Sequence, residues 1–187
     1  MNNAKDSDFG TRCNAYHEAG HAVAAIAHGF KVIAVDIRPV VIPGLGQTRG
    51  SAELALPTPR TFLGKGEDAV MPLLVVLFAG VFAEQRVNTQ AGLDIGHAQS
   101  DGQRATQYAA GAICKPVSCN GVLVTPDEEV QKQMSAILAC IEKAWGLAQD
   151  FANSHGVAID AVGESLAKSG VLSPSKVEQL VADAMAK

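Results

Sequence analysis

The sequence predicts a mainly α-helical protein with a small β-sheet, of the α+β class. Three observations lead to this class. Alanine-rich or amphipathic segments cover most of the 187 residues, and β-branched residues concentrate between residues 31 and 54. The C-terminal half contains clear helix start signals.

In the N-terminal half, glycine and proline separate segments of different periodicity. Gly29 ends an alanine-rich run, Pro39 ends a β-branched run, and Pro57 and Pro59 mark a loop. The predicted elements are, in order, a flexible tail over 1–11, a helix over Arg12–His28, a strand over Lys31–Arg38, a turn and second strand over Val40–Leu54, and a long, mostly buried helix over Glu67–Val87.

The sequence of the C-terminal half predicts only helices, which are joined by loops. The clearest start is at Thr125, which can cap a helix with Pro126 at its first position and Glu128 completing a capping box. The predicted elements are a loop over 88–100, a helix from its N-cap Ser100 to about Ala110, an irregular segment over 115–124, a helix ending near Ser154, a helix over Ile159–Lys168 that stops at Gly170, and a last helix capped by Ser173.

Composition excludes several classes of function. The net charge of −4 argues against electrostatic capture of nucleic acid. The longest apolar run, Ala69–Ala83, contains Pro72 and is shorter than a membrane span, and the polar first residues do not form a secretory signal. Four irregularly spaced cysteines are expected to be reduced thiols in a cytoplasmic protein, the alternative being a Cys114–Cys119 pair in an exported one.

The first predicted helix contains the motif His17-Glu18-Ala19-Gly20-His21, an HExxH pattern. Residues four apart share one helix face, so His17 and His21 can both direct a nitrogen at one metal ion. Glu18 is placed beside that ion as a general base that takes a proton from water. The small residues around the motif leave room for close helix packing. The pattern therefore predicts a catalytic zinc site.

A catalytic zinc usually has three protein ligands and an open position. No third histidine follows at the metzincin spacing, because position 27 is Ala27. Spacing alone leaves four candidates for the third ligand: Glu84, Asp94, His97 and Asp101. His28 lies on about the same helix face as the motif, but a histidine at a helix C-terminus is favoured by the helix dipole and needs no ligand role.

The segment HEAGHAVAA resembles the zinc-binding segment of the FtsH-type ATP-dependent metallopeptidases. Further segments, from Arg12 to Val181, resemble the same family in the same order: VDIRP with GLGQT, LFAGVFAEQRV, SDGQRATQYA and the closing helices. The sequence departs from the family pattern at Gln47, Val81, His97 and Gly102, and it contains neither a Walker A sequence nor the family's membrane anchor.

The resemblance implies a single FtsH-like metallopeptidase domain over 12–187, with a zincin-like HExxH helix followed by a helical bundle. Carried over residue by residue, His17, His21 and Asp101 are the zinc ligands and Glu18 is the catalytic base. Glu84 falls on a glutamate of the family's helix pattern, where it is expected either to orient a ligand histidine or to be a structural carboxylate.

The resemblance also implies partners. Substrates are expected to be unfolded polypeptides, or polypeptides delivered by a separate ATPase, and the family's hexamers imply a homo-oligomer. The competing hypothesis is a zinc-binding regulatory or scaffold protein of the same fold with little turnover. An intact Glu18 argues against it, since a glutamate at that position is not needed to hold the metal.

Overall fold

A computed structural model describes residues 3–42, 46–48, 50–88, 95–114, 118–119, 122–123 and 127–186, with side chains described over 9–39, 50–88, 99–114 and 127–186. The helices are α1 (Asn3–Ala27), α2 (Glu67–Gln85), α3 (Ile95–Ile113), α4 (Asp127–Ser154), α5 (Gly156–Ser169) and α6 (Pro174–Met185). The strands are β1 (Val32–Asp36), β2 (Val40–Ile42), β3 (Gly46–Thr48), β4 (Ser51–Leu54), β5 (Ser118–Cys119), β6 (Val122–Leu123) and β7 (Val171–Leu172). The predicted α+β class is confirmed.

The centre of the fold is α2, which is apolar on all sides and buried almost throughout from Val70 to Glu84. It packs against α1, α3 and α4, while α5 packs on α1 and α6. Trp145 of α4 lies against the rings of Phe78 and Phe82 of α2, at 5.2 and 4.8 Å between centroids. The site-bearing helix α1 is therefore held between α2 and α5.

The main sheet has three antiparallel strands in the order β4-β1-β7. Val35 of β1 pairs with Ala52 of β4 on one side and with Leu172 of β7 on the other. An irregularity between Val32 and Ala34 marks a β-bulge in β1. Strand β4 forms one edge of this sheet and lies beside α1. Strands β2 and β3, and β5 and β6, form two separate antiparallel hairpins.

Several helix ends agree with the sequence signals. Gly29 and Gly170 adopt φ values of 77° and 75° directly after helical segments, a conformation that favours glycine. Ser173 accepts a hydrogen bond from the backbone N–H of Lys176 and so caps α6, as predicted. The predicted cap at Thr125 and Pro126 lies outside the described residues.

Three helix starts differ from the prediction, and the smallest difference is at α5, which begins at Gly156 rather than at Ile159. Helix α1 begins at Asn3 rather than at Arg12, so residues 3–11 continue the helix instead of forming a separate tail. Helix α3 begins at Ile95, so Ser100 is inside the helix and is not its N-cap. Polar and glycine residues favour loops only weakly, so they do not mark the starts of α1 and α3.

Two further expectations concern membranes and cysteines. Within the ranges given above, no helix is long and apolar enough to cross a membrane. Cys114 and Cys140 carry free thiols, so Cys114 is not paired with Cys119.

Candidate metal and catalytic site

Helix α1 presents His17, Glu18 and His21 to the interior, each less than 10% exposed. The Nε2 atoms of His17 and His21 lie 3.0 Å apart, and their rings meet edge to face with centroids separated by 4.7 Å. The four-residue spacing on the helix accounts for this arrangement. The two histidines thus share one face and converge on one point, as the motif predicts.

The third group at this point is Asp101, in the second turn of α3. Its Oδ2 atom lies 3.2 Å from Nε2 of His17 and 3.2 Å from Nε2 of His21. Asp101 is only 6% exposed, so its carboxylate is turned inward rather than solvated. Within the described side chains, these three residues are the group whose ligand atoms could hold a metal ion.

The other candidate ligands have different positions. Glu84 contacts the opposite nitrogen of His17, Nδ1, through Oε2 at 3.3 Å, so it lies behind the histidine rather than beside Asp101. Asp94 lies outside the described residues, and His97 is in α3 with a side chain outside them. His28 is exposed at the end of α1, where its ring lies 5.8 Å from that of Phe151.

The outward nitrogens fix the tautomers of the two histidines. Nδ1 of His21 lies 2.8 Å from the carbonyl oxygen of Val76, and a carbonyl can only accept, so Nδ1 carries the proton. Nδ1 of His17 lies 3.3 Å from Oε2 of Glu84, and an ionised carboxylate can likewise only accept. Each Nε2 therefore turns a lone pair toward the other and toward Asp101. Three acceptor atoms at this separation require a cation or a proton among them.

The titration behaviour of the metal-free site agrees with this requirement. Burial lowers the pKa of His17, but contacts with Asp101 and Glu84 outweigh burial and raise it to about 9. Burial raises the pKa of Asp101, but His21 and His17 outweigh it and bring that pKa well below its usual range. Both shifts mean that the site favours an added positive charge.

The donor set fits zinc. Tetrahedral Zn²⁺ with nitrogen and oxygen ligands at about 2.0–2.2 Å places its ligand atoms roughly 3.3 Å apart. The three ligand atoms here are separated by 3.0, 3.2 and 3.2 Å. Two imidazoles and one carboxylate leave one tetrahedral position open, as in catalytic zinc sites. Glu84 and the Val76 carbonyl supply the supporting contacts that metal-bound histidines usually make.

Two glycines allow α1 and α2 to approach closely enough to build this site. A Cβ atom at Gly20 would lie 2.5 Å from the carbonyl oxygen of Ala79, and one at Gly80 would lie 2.5 Å from Nε2 of His21. Both distances are far below ordinary van der Waals contact. Val76, Gly80 and Glu84 are spaced by four residues, so they form the face of α2 that supports the histidines. The sequence did not predict that Val76 and Gly80 support the histidines, although their four-residue spacing from Glu84 was a signal for it.

Glu18 is held by the edge strand of the sheet. Its Oε2 atom accepts a hydrogen bond from the backbone N–H of Ala52 in β4 at 2.5 Å. A cavity of about 200 Å³ opens at this point. It is lined by three groups of residues: His17, Glu18 and His21 from α1; Gly50, Ser51, Ala52 and Leu54 at β4; and Leu77 of α2 with Ser100, Asp101 and Arg104 of α3. Glu18, the candidate metal-ligand group and the edge of β4 thus share one cavity.

Comparison of this sequence with protein-family models and with curated proteins gives no match.

Proposed function

We propose that this protein is a zinc-dependent metallopeptidase, an endopeptidase related to the FtsH-type peptidases. The observation that carries the proposal is the convergence of three buried acceptor atoms, from His17, His21 and Asp101, in a cavity that also contains Glu18. A structural zinc site needs no carboxylate in the position of Glu18 and usually has four protein ligands. The open position and the adjacent carboxylate favour hydrolysis.

Bound at this site, zinc supplies Lewis acidity, which lowers the pKa of a water molecule and polarises a carbonyl group. Glu18 acts as the general base. Because Ala52 donates its N–H to Oε2, one carboxylate oxygen is fixed, and the other remains to take a proton from the attacking water. The same carboxylate returns the proton to the leaving amine. The peptide bond is broken as the new carboxylate forms.

The edge of β4 offers a binding track for an extended substrate. Ala52 turns its N–H toward Glu18 and away from β1, whereas Ala55 donates its N–H to the carbonyl of Lys31. Because backbone groups alternate along a strand, Leu54 faces outward with Ala52. The carbonyl of Ala52 and the N–H of Leu54 are therefore placed to pair with an added strand. This geometry requires an extended chain, so we propose unfolded polypeptides as substrates.

The proposed partners follow from the family resemblance. We propose that a separate ATPase delivers folded substrates and that the chain forms a homo-oligomer, as the FtsH-type enzymes do. A cytoplasmic location is proposed with them, and the free thiols of Cys114 and Cys140 support it.

The test compares zinc content and cleavage of an unfolded protein such as casein in wild type and three variants. Glu18→Gln keeps an oxygen that can accept from Ala52, so we expect it to retain zinc and lose about 10²–10⁴-fold in kcat. Asp101→Ala should lose zinc as well as cleavage. Glu178→Gln is the matched control, because it removes an exposed carboxylate from α6, which does not line the cavity, and it should cleave like wild type.

The outcomes separate the two hypotheses. Zinc binding with cleavage that depends on Glu18 supports the peptidase. Zinc binding without cleavage of any unfolded substrate, with or without an ATPase, supports the scaffold protein instead. Failure of the wild type to bind zinc would overturn both.

A further inference from the structure

Arg104 brings a positive charge into the wall of the catalytic cavity. It lies three residues after Asp101 on α3, so the two side chains lie on the same side of the helix, about one turn apart. Among the described residues that line the cavity, Arg104 is the sole lysine or arginine. Its side chain is exposed and forms no hydrogen bond or ion pair with the residues that the structure describes.

The carboxylates of the cavity are engaged by other groups. Asp101 contacts the two histidines, and Glu18 accepts the N–H of Ala52. Three other arginines each bind a carboxylate of the chain, in the pairs Arg12–Glu164, Arg38–Asp36 and Arg86–Asp160. Within the part of the chain that the structure describes, Arg104 has no such partner, so its guanidinium is available to a ligand that enters the cavity.

We propose that Arg104 is a specificity-determining residue that binds a carboxylate of the substrate close to the scissile bond. The inference rests on the proposed peptidase function and adds a substrate class to it. The planar guanidinium presents parallel N–H donors that match the two oxygens of a carboxylate. Such a carboxylate belongs either to an aspartate or glutamate side chain or to the C-terminus of the polypeptide.

The walls of the cavity determine which part of a bound substrate lies near Arg104. Strand β4 forms one wall and the α3 residues Ser100, Asp101 and Arg104 form another. A substrate paired along β4 directs alternate side chains out of the plane of the sheet. The carboxylates of Glu18 and Asp101 offset the two positive charges of a bound zinc ion, so Arg104 adds the net positive charge that an acidic group in this space would meet. Arg104 therefore determines whether the cavity favours or disfavours an acidic group of the substrate.

The experiment uses full-length, zinc-loaded protein and matched peptides that differ only as glutamate against glutamine beside the cleaved bond. A second pair compares a free C-terminal carboxylate with its amide. Wild type should favour the glutamate peptide or the free acid by about five- to tenfold in kcat/KM, and the pair affected identifies the source of the carboxylate. Arg104→Gln should bring that ratio close to one, Arg104→Lys should retain part of it, and Arg104→Glu should reverse it. Gln103→Ala, an exposed neighbour on α3, is the control that should keep the wild-type ratio.

Peptide binding to zinc-loaded Glu18→Gln protein, followed by fluorescence anisotropy, separates this inference from the proposed activity. Binding of acidic peptides that depends on Arg104, without turnover by wild type, would support the inference and contradict the peptidase. Cleavage by wild type with no preference in either pair, or with a preference that survives in Arg104→Gln, would refute the inference and leave the peptidase standing. Absence of both binding and cleavage would overturn the two together.

Discussion

Gly80 lies where α2 passes the two histidines of the site, and its replacement by alanine tests how closely the helices must approach. The added Cβ atom would lie 2.5 Å from Nε2 and 2.7 Å from Cε1 of His21, and 3.0 Å from Nε2 of His17. Ordinary contact begins near 3.4 Å, so the His21 ring must move by about 0.9 Å. The new Cβ atom therefore crowds both nitrogens that would bind the metal, Nε2 of His21 and Nε2 of His17.

Gly80→Ala is expected to weaken zinc binding strongly and to lower the free energy of unfolding by a smaller amount. Metal–ligand distances tolerate deviations of about 0.2 Å, so a shift several times larger should weaken zinc binding by about 100-fold or more. That factor corresponds to roughly 2.7 kcal/mol. Overpacking costs about 1–3 kcal/mol of folding free energy, and the better helix propensity of alanine returns roughly 0.5–1 kcal/mol. Gly80→Ala protein should therefore still fold.

The assay is competition for zinc against a chromophoric chelator, combined with thermal unfolding of the metal-free protein. Gly146→Ala is the matched control, because it makes the same change inside α4 at a position with nothing within 4 Å of the new Cβ atom. The control should bind zinc like wild type and unfold at the same or a slightly higher temperature. Equal zinc affinity in Gly80→Ala and Gly146→Ala would refute the proposal that His17 and His21 hold the metal through these nitrogens.

Three further changes test other contacts. Glu84→Gln removes the negative charge behind His17 and should lower zinc affinity about tenfold in the chelator assay, with the fold retained. Arg12 lowers the pKa of Glu164 below its usual 4.5, so the pair stabilises the fold above that pH and the contribution is lost as the pH falls through the folded-state value. Glu164→Gln should therefore lower the free energy of unfolding by roughly 0.5–1 kcal/mol in urea at pH 7, with a smaller difference at pH 3. Ser173→Ala removes the cap of the last helix and should cost about 1 kcal/mol in the same measurement.

The local signals in the sequence predict the helices and the paired histidines well. The four-residue spacing of His17 and His21 places both on one face in any α-helix, and the small residues around Gly20 permit the close crossing that the structure contains. Ser173 and Gly170 also specify a helix start and a helix end by local chemistry alone. These features depend on neighbours within about one turn, so the sequence contains them directly.

Two helix starts were less predictable from local propensity. The polar and glycine residues before Ser100 favour a loop, yet α3 begins at Ile95, and the polar residues before Arg12 continue α1. In both places local propensity, which is a weak signal, favours the wrong element. The consequence for the site is that Asp101 lies in the second turn of α3 and not in its first.

The sequence by itself determined the chemistry of the candidate site: two imidazoles on one helix face, a carboxylate beside them, and a short set of acidic residues or histidines from which a third ligand could come. Only the tertiary structure separates the two of these candidates whose side chains it describes, Asp101 and Glu84. Asp101 and Glu84 contact opposite nitrogens of His17, at Nε2 and Nδ1, so one faces the shared point and the other lies behind it. The hydrogen bond from Ala52 to Glu18 and the place of Arg104 in the cavity were likewise decided by packing. The reason is that these contacts join residues distant in sequence, and no local pattern reports how separate helices and strands are brought together.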